Sequence, residues 1–100
     1  MATPGKLSPA ERERLEMLVE ECGEVIHEAC KALRHGYECY HPADPGRDNR
    51  ARLRAEIIDL SAILALVARQ DGLAVTDAER QAAEDRKARY TYHQTVTARA

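Results

Sequence analysis

Three carboxylates fall within five residues at Glu20-Glu21-Cys22-Gly23-Glu24, inside a long apolar-periodic run. A second acid pair, Glu56 and Asp59, sits in the still more apolar stretch Glu56-Ile57-Ile58-Asp59. On a helix, residues at i and i+3 are neighbours, so Glu21 with Glu24, and Glu56 with Asp59, can each grip one cation from two sides. All-oxygen ligation favours Mg²⁺ or Mn²⁺ over zinc. Acids packed near a core repel one another and resist desolvation, and a bound cation removes both costs. For Glu20, Glu21, Glu24 and Glu28 alone, a solvated helix face accounts for the pattern equally well. Glu56 and Asp59 are harder to explain that way, because their neighbours are Ile57, Ile58, Leu60 and Ile63. A buried arginine partner, Arg52 or Arg54, is the main competing account for them.

Two helices must carry these pairs. Ser8-Pro9-Ala10-Glu11 is a helix start, with Ser8 as cap, Pro9 in the first position and Glu11 completing a capping box. The helix is predicted to run to about His35, with Gly36 as its stop. Leu15, Leu18, Val19, Cys22, Val25, Ile26, Ala29 and Leu33 share one arc of it, the predicted core seam. Glu21, Glu24 and Glu28 flank that seam, and Glu20 and His27 lie further round. Residues 37–48 form a loop without periodicity, long enough in so small a domain to suggest function. A second helix is predicted from Asp48 or Asn49 to about Gln70, closed by Asp71-Gly72. Its core stripe is Leu53, Ile57, Leu60, Leu64 and Val67, with Ile63 and Leu66 extending it beside Glu56 and Asp59. Ile58 and Ala65 make the remaining face apolar too. A helix apolar nearly all round is buried nearly all round, which in this chain points to oligomerisation. Thr76-Asp77-Ala78-Glu79 is a second capping box, opening a third helix predicted to reach Tyr92, whose alanine-rich face binds the core weakly.

The 100 residues bound the chain to one small domain. The expected architecture is all-α, three main helices over residues 8–92, with a flexible lead at 1–7 and a tail at 93–100. Alanine, leucine, glutamate and arginine dominate, and there is no Phe or Trp. A net charge of −2 argues against a nucleic-acid partner. Cys22, Cys30 and Cys39 are an odd set without paired spacing, the pattern of reduced thiols in a cytosol-like compartment. The N-terminus has no apolar core and is not read as a signal peptide. The run at 57–68 is broken by Asp59 and too short to span a bilayer. A soluble cytoplasmic protein without membrane partners is expected.

Glu-Glu-x-x-Glu on one helix followed by Glu-x-x-Asp on the next resembles the MazG-like nucleotide pyrophosphohydrolases of the all-α NTP pyrophosphatase superfamily. The resemblance spans residues 15–68, roughly half the chain. Residues 18–36 are close to the small, often phage-encoded members. Those also tend to show a Lys-x-x-Arg-x-Gly ending, here Lys31, Arg34 and Gly36, and an asparagine before the second acid pair, here Asn49. The spacing from Glu24 to Glu56 is at the long end for the family, so the loop is a candidate lid.

The resemblance implies hydrolysis of a (d)NTP to the (d)NMP and diphosphate by in-line attack of an activated water on the α-phosphorus. Glu21, Glu24, Glu56 and Asp59 would hold roughly two or three Mg²⁺ or Mn²⁺ ions, and Glu20 or Glu28 would orient the water. It further implies a homodimer or homotetramer in which helices of several chains form four-helix units around each site. Lys31 and Arg34 are the first choices for substrate phosphate; Arg50, Arg54, Arg86 and Lys87 are candidates across a subunit interface. Asn49 could read a base edge or sugar, or simply cap the helix. Tyr37, Tyr40 and His41 could stack on a base or pack locally. The long loop suits a purine deoxynucleotide such as dGTP. A phage-encoded member would work in the host cytoplasm.

Other chemistries fit less of the chain. Glu24-x-x-His27 has di-iron carboxylate spacing, but Asp59 is followed by Ala62 where a second histidine is needed. Cys30, Cys39, His35 and His41 match no zinc finger or ribbon spacing. A phosphoribosyl-ATP pyrophosphohydrolase shares the acid pattern, and a non-catalytic helical oligomerisation module is the reading outside enzymes.

Overall fold

A computed structural model describes residues 5–94. Most of the predicted lead and tail lies outside them. Helix α1 spans Pro9–His35. The Ser8 hydroxyl accepts from the Glu11 amide at 3.1 Å and the Glu11 carboxylate accepts from the Ser8 amide at 2.7 Å, the reciprocal capping box expected there. It stops at Gly36, whose φ of +85° favours glycine and whose amide donates to the Ala32 carbonyl at 2.7 Å.

Helix α2 spans Asn49–Asp71 and closes on Gly72 in the left-handed region. Its cap is Asp48, whose carboxylate accepts from the Ala51 amide at 2.8 Å. Asn49 is therefore not the cap. It is buried, and its side-chain amide donates to the Gly36 carbonyl at 2.9 Å, tying the start of α2 to the end of α1. The loop between them is pinned as well: the Asn49 amide donates to Cys39, the Arg50 amide to Tyr37, and Tyr40 forms an isolated antiparallel bridge with Asp48.

Helix α3 spans Asp77–Ala88, with the predicted Thr76–Glu79 capping box in place. It ends short of Tyr92, because the Tyr90 and Thr91 amides turn back to Lys87 and Ala88, and the Thr91 hydroxyl also donates to the Ala88 carbonyl. The described residues contain three helices and no named strand. Helices α1 and α2 pack as an antiparallel hairpin, and α3 packs against neither.

The face the hairpin turns inward overlaps the predicted one only in part. Along α1 the half-buried or buried residues include Arg14, Leu18, Glu21, Val25, Glu28 and Ala32, a helical stripe that carries three charged groups. Part of the predicted seam points away from α2, with Val19 72% exposed, Ile26 63% and Leu33 86%, whereas its Leu18, Val25 and Ala29 are half-buried as expected. On α2, Leu53, Leu60, Ile63 and Val67 face α1, whereas Ile57, Ile58 and Leu64 stand about half exposed. Val67 is the one buried hydrophobic side chain among the described residues, so the helix expected to be covered all round is not covered within one chain. The reason is that α1 has two usable faces. Its inward stripe meets α2 through Leu18 and Val25 and through one ion pair, Arg14–Asp71, while its outward arc needs only apolar cover, which α2 does not supply.

That ion pair clamps the open end of the hairpin. Arg14 donates from Nε to Asp71 at 2.9 Å and from a terminal nitrogen at 2.7 Å, a two-pronged contact between the first turns of α1 and the last turn of α2. The guanidinium holds the Asp71 carboxyl below the usual carboxylate range. A group so depressed contributes stability above its unfolded pKa and loses it as pH falls through the folded value. Asp71→Asn should therefore lower the melting temperature by several degrees at neutral pH. The gap to wild type should close as the solution is acidified below the ordinary carboxylate range, which thermal melts across pH will show.

Candidate metal centre

The inward stripe of α1 and that of α2 meet at acids. Ligand oxygens of Glu21, Glu56 and Asp59 all lie within 4.8 Å of one another, the one such group of three or more His, Cys, Asp or Glu among the described residues. Glu21 and Glu56 are half-buried and Asp59 is exposed. Neither Arg52 nor Arg54 neutralises them: Arg52 pairs with Asp44 at 2.7 Å, and no ion pair reaches Glu21, Glu56 or Asp59 among the described residues. Desolvation, then the charges of Asp59, Glu20, Glu56 and Glu24, push the Glu21 carboxyl above its ordinary value. The donor set is all oxygen, drawn from two helices, and lacks a compensating cation of its own. It fits a hard divalent ion.

The sequence pattern placed four ligands here, and the structure brings three together. Glu24 is exposed and outside the group. Three residues beyond Glu21 on a 3.6-residue helix, it is rotated about 60° away from the facing helix. It acts on Glu21 through charge alone. Glu20 is exposed and adds to the same repulsion. Glu28 is buried: one oxygen lies 3.6 Å from the Lys31 ammonium, and the other, Oε2, has no hydrogen-bond partner. The di-iron and zinc alternatives are not assembled, since His27, Cys30, Cys39, His35 and His41 belong to no metal-holding group among the described residues and the three cysteines are free and exposed.

The basic and aromatic candidates divide. Lys31, Arg34 and Asn49 line one cavity at the loop end of the hairpin, together with Tyr40 and His41. Arg50 and Tyr37 occupy each other instead, the guanidinium lying 4.9 Å from the ring centroid. Arg54 is exposed on α2, and Arg86 and Lys87 ride on α3, away from the acids of their own chain. Two elements escaped sequence reasoning. The Arg14–Asp71 clamp had no signal beyond opposite charges at the two hairpin ends. Arg52, a lining residue of the cavity, could have been found as the residue one turn into α2 on the stripe that includes Asn49 and Glu56.

A carboxyl whose folded pKa is raised favours the folded state below that pKa, and the advantage is lost as pH rises through it. At neutral pH, ionised Glu21 is therefore a cost to the metal-free fold. Glu21→Gln should melt a few degrees higher than wild type in EDTA. The stabilisation that Mn²⁺ gives the wild type should be absent from the variant; a variant that melts lower in EDTA and still responds to Mn²⁺ removes Glu21 from the site.

No helix among the described residues is long and apolar enough to cross a membrane. No family model, curated protein or solved structure matches the chain.

Proposed function

We propose that this protein is a metal-dependent nucleotide pyrophosphohydrolase of the MazG-like type, converting a (d)NTP and water to the (d)NMP and diphosphate. The observation that carries the reading is the meeting of Glu21, Glu56 and Asp59 within 4.8 Å across two helices, without a basic partner. Clustered acids attract a polyphosphate only through cations. Glu21, Glu56 and Asp59 would hold Mg²⁺ or Mn²⁺, with Glu24 the fourth ligand that the resemblance implies. When bound, such ions neutralise phosphate charge and lower the pKa of water for attack at the α-phosphorus. Glu20 and Glu28, whose buried Oε2 has no hydrogen-bond partner, would be the candidates to orient that water. Lys31 and Arg34 take phosphate oxygens from the loop end, and Asn49, already committed to Gly36 through its amide nitrogen, keeps its side-chain oxygen for a base or sugar.

The same reading makes the protein a homo-oligomer. The outward apolar arc of α1, the half-exposed Ile57, Ile58 and Leu64, and an α3 that packs against neither α1 nor α2 all support cover by further copies. Four-helix units then arise from two hairpins, and Arg50, Arg86 or Lys87 can reach the site of a neighbour.

The test is to incubate the protein with each common NTP and dNTP, dGTP included, and Mg²⁺ or Mn²⁺, following monophosphate and diphosphate together. Equal amounts of both, abolished by EDTA, are the expected result and name the base. Turnover of phosphoribosyl-ATP alone would keep the site and change the substrate. Silence on every nucleotide with either metal would overturn the reading.

A further inference from the structure

At the loop end of the hairpin lies a cavity of about 410 Å³, within the range of small-molecule sites. Five of its lining side chains are cationic or protonable, Lys31, Arg34, His35, His41 and Arg52, and no Asp or Glu lines it. Its walls come from the end of α1, the pinned loop and the first turn of α2, held together by the Asn49–Gly36, Asn49–Cys39 and Arg50–Tyr37 hydrogen bonds. The site is thus built before any ligand arrives.

The donors of this cavity are not used up within the chain. Arg34 has no ion-pair or hydrogen-bond partner. Arg52 spends one terminal nitrogen on Asp44, which fixes its guanidinium, while its Nε is buried without an acceptor. A buried donor left unmade is unfavourable, and an incoming oxyanion relieves it. His41 accepts at Nδ1 from the Ala43 amide at 3.0 Å, so in its neutral form the proton sits on Nε2 and the ring is a donor. Lys31 is held only loosely by Glu28, at 3.6 Å. Along α1, Lys31 is about 15 Å of helical rise from Glu21, and the cavity shares no lining residue with the acid group.

We propose that this cavity binds a phosphate or diphosphate group directly, without a divalent cation. Several donors converging from two helices and a loop suit a tetrahedral oxyanion with many acceptor oxygens better than a planar carboxylate. The ligand is either free inorganic phosphate or diphosphate, or the terminal phosphates of a nucleotide. The inference rests in part on the hydrolase reading, which already gives Lys31 and Arg34 to substrate phosphate; the cationic lining adds Arg52 and His41 and direct binding without a metal.

The test is a titration of the ¹⁵N-labelled full chain in EDTA, at constant ionic strength, with inorganic phosphate, pyrophosphate, ATP and, as control, sodium acetate. Pyrophosphate should shift amides of residues 31–35, 39–41 and 49–52 saturably. Arg34→Gln, at an exposed position that the fold does not use, and Arg52→Gln should each weaken binding by about tenfold or more. Arg69→Gln, outside the cavity, and Asp59→Asn, in the acid group, should not. Saturation by ATP as well as pyrophosphate assigns the cavity to nucleotide phosphates; saturation by inorganic phosphate or pyrophosphate alone assigns it to the free oxyanion. Shifts that acetate reproduces, shifts unchanged in both Arg34→Gln and Arg52→Gln, or loss of binding in Asp59→Asn overturn the proposal. Because divalent cations are absent throughout, a negative result here leaves the turnover assay to judge the metal centre on its own.

Discussion

Asp59→Asn should lower diphosphate release by about a thousandfold, the scale set by losing several kcal/mol of metal-borne charge stabilisation. Asp59 is the exposed member of the acid group, so the substitution removes a ligand oxygen's charge without opening a hole in the hairpin. It also removes the largest single charge acting on Glu21, so the metal-free protein should be no less stable than wild type. Loss of turnover with an unchanged or raised melting temperature in EDTA separates a functional role from a structural one. Glu56→Gln should behave alike. Glu24→Gln is the informative comparison: with Glu24 outside the group, its loss should be clearly smaller than that of Asp59→Asn. Equal losses would mean that Glu24 swings in when the ion binds. Activity in Asp59→Asn within tenfold of wild type would remove the acid group from the chemistry. The measurement is kcat and KM for the best nucleotide across a Mn²⁺ titration.

Ile26→Glu should dissociate the protein and unfold much of it. Val67 is the one buried hydrophobic side chain among the described residues, and such a small apolar core cannot offset the conformational entropy of ordering the helices. The outward arc of α1, with Leu15, Val19, Cys22, Ile26, Cys30 and Leu33 at helical spacing, is the largest reserve of apolar surface, and Ile26 lies at its middle. A charge there must be desolvated if the arc is covered and costs little if it faces water. Light scattering should find the wild type as a dimer or tetramer and the variant as monomer with reduced helicity. The cysteines give an independent reading. Cys22 and Cys30 lie on this arc and Cys39 lies in the loop, and all are exposed in a single chain. Alkylation should modify Cys39 quickly in the native wild type and reach Cys22 and Cys30 only in the variant. A monomeric wild type with three fast thiols would dispose of the covered arc.

Helix limits were legible in the chain because they depend on neighbours a few residues apart. Ser8 with Glu11, Thr76 with Glu79, Gly36 and Gly72 marked starts and stops from local hydrogen bonding and backbone freedom alone. The end of α3 was less legible, since the Thr91 hydroxyl competes with the helix for the Ala88 carbonyl. The acid pairs were legible as residue types at helical spacing, and their meeting across α1 and α2 followed from putting both helices in one hairpin.

Which face of α1 meets α2 was a different kind of question. Periodicity identifies an apolar arc, but not the neighbour that covers it. Here Glu21 and Glu28 turn inward and Val19, Ile26 and Leu33 turn out. That rotation set Glu24 apart from Glu21, joined Arg14 to Asp71 across most of the chain's length, and gathered Lys31, Arg34 and Arg52 around one cavity. Residue types and local spacing determined the helices and the chemistry available to them. Only the tertiary structure decided which charges share a space, because ion pairing between distant residues depends on helix rotation, and a rotation of a single residue step, 100°, changes every partner.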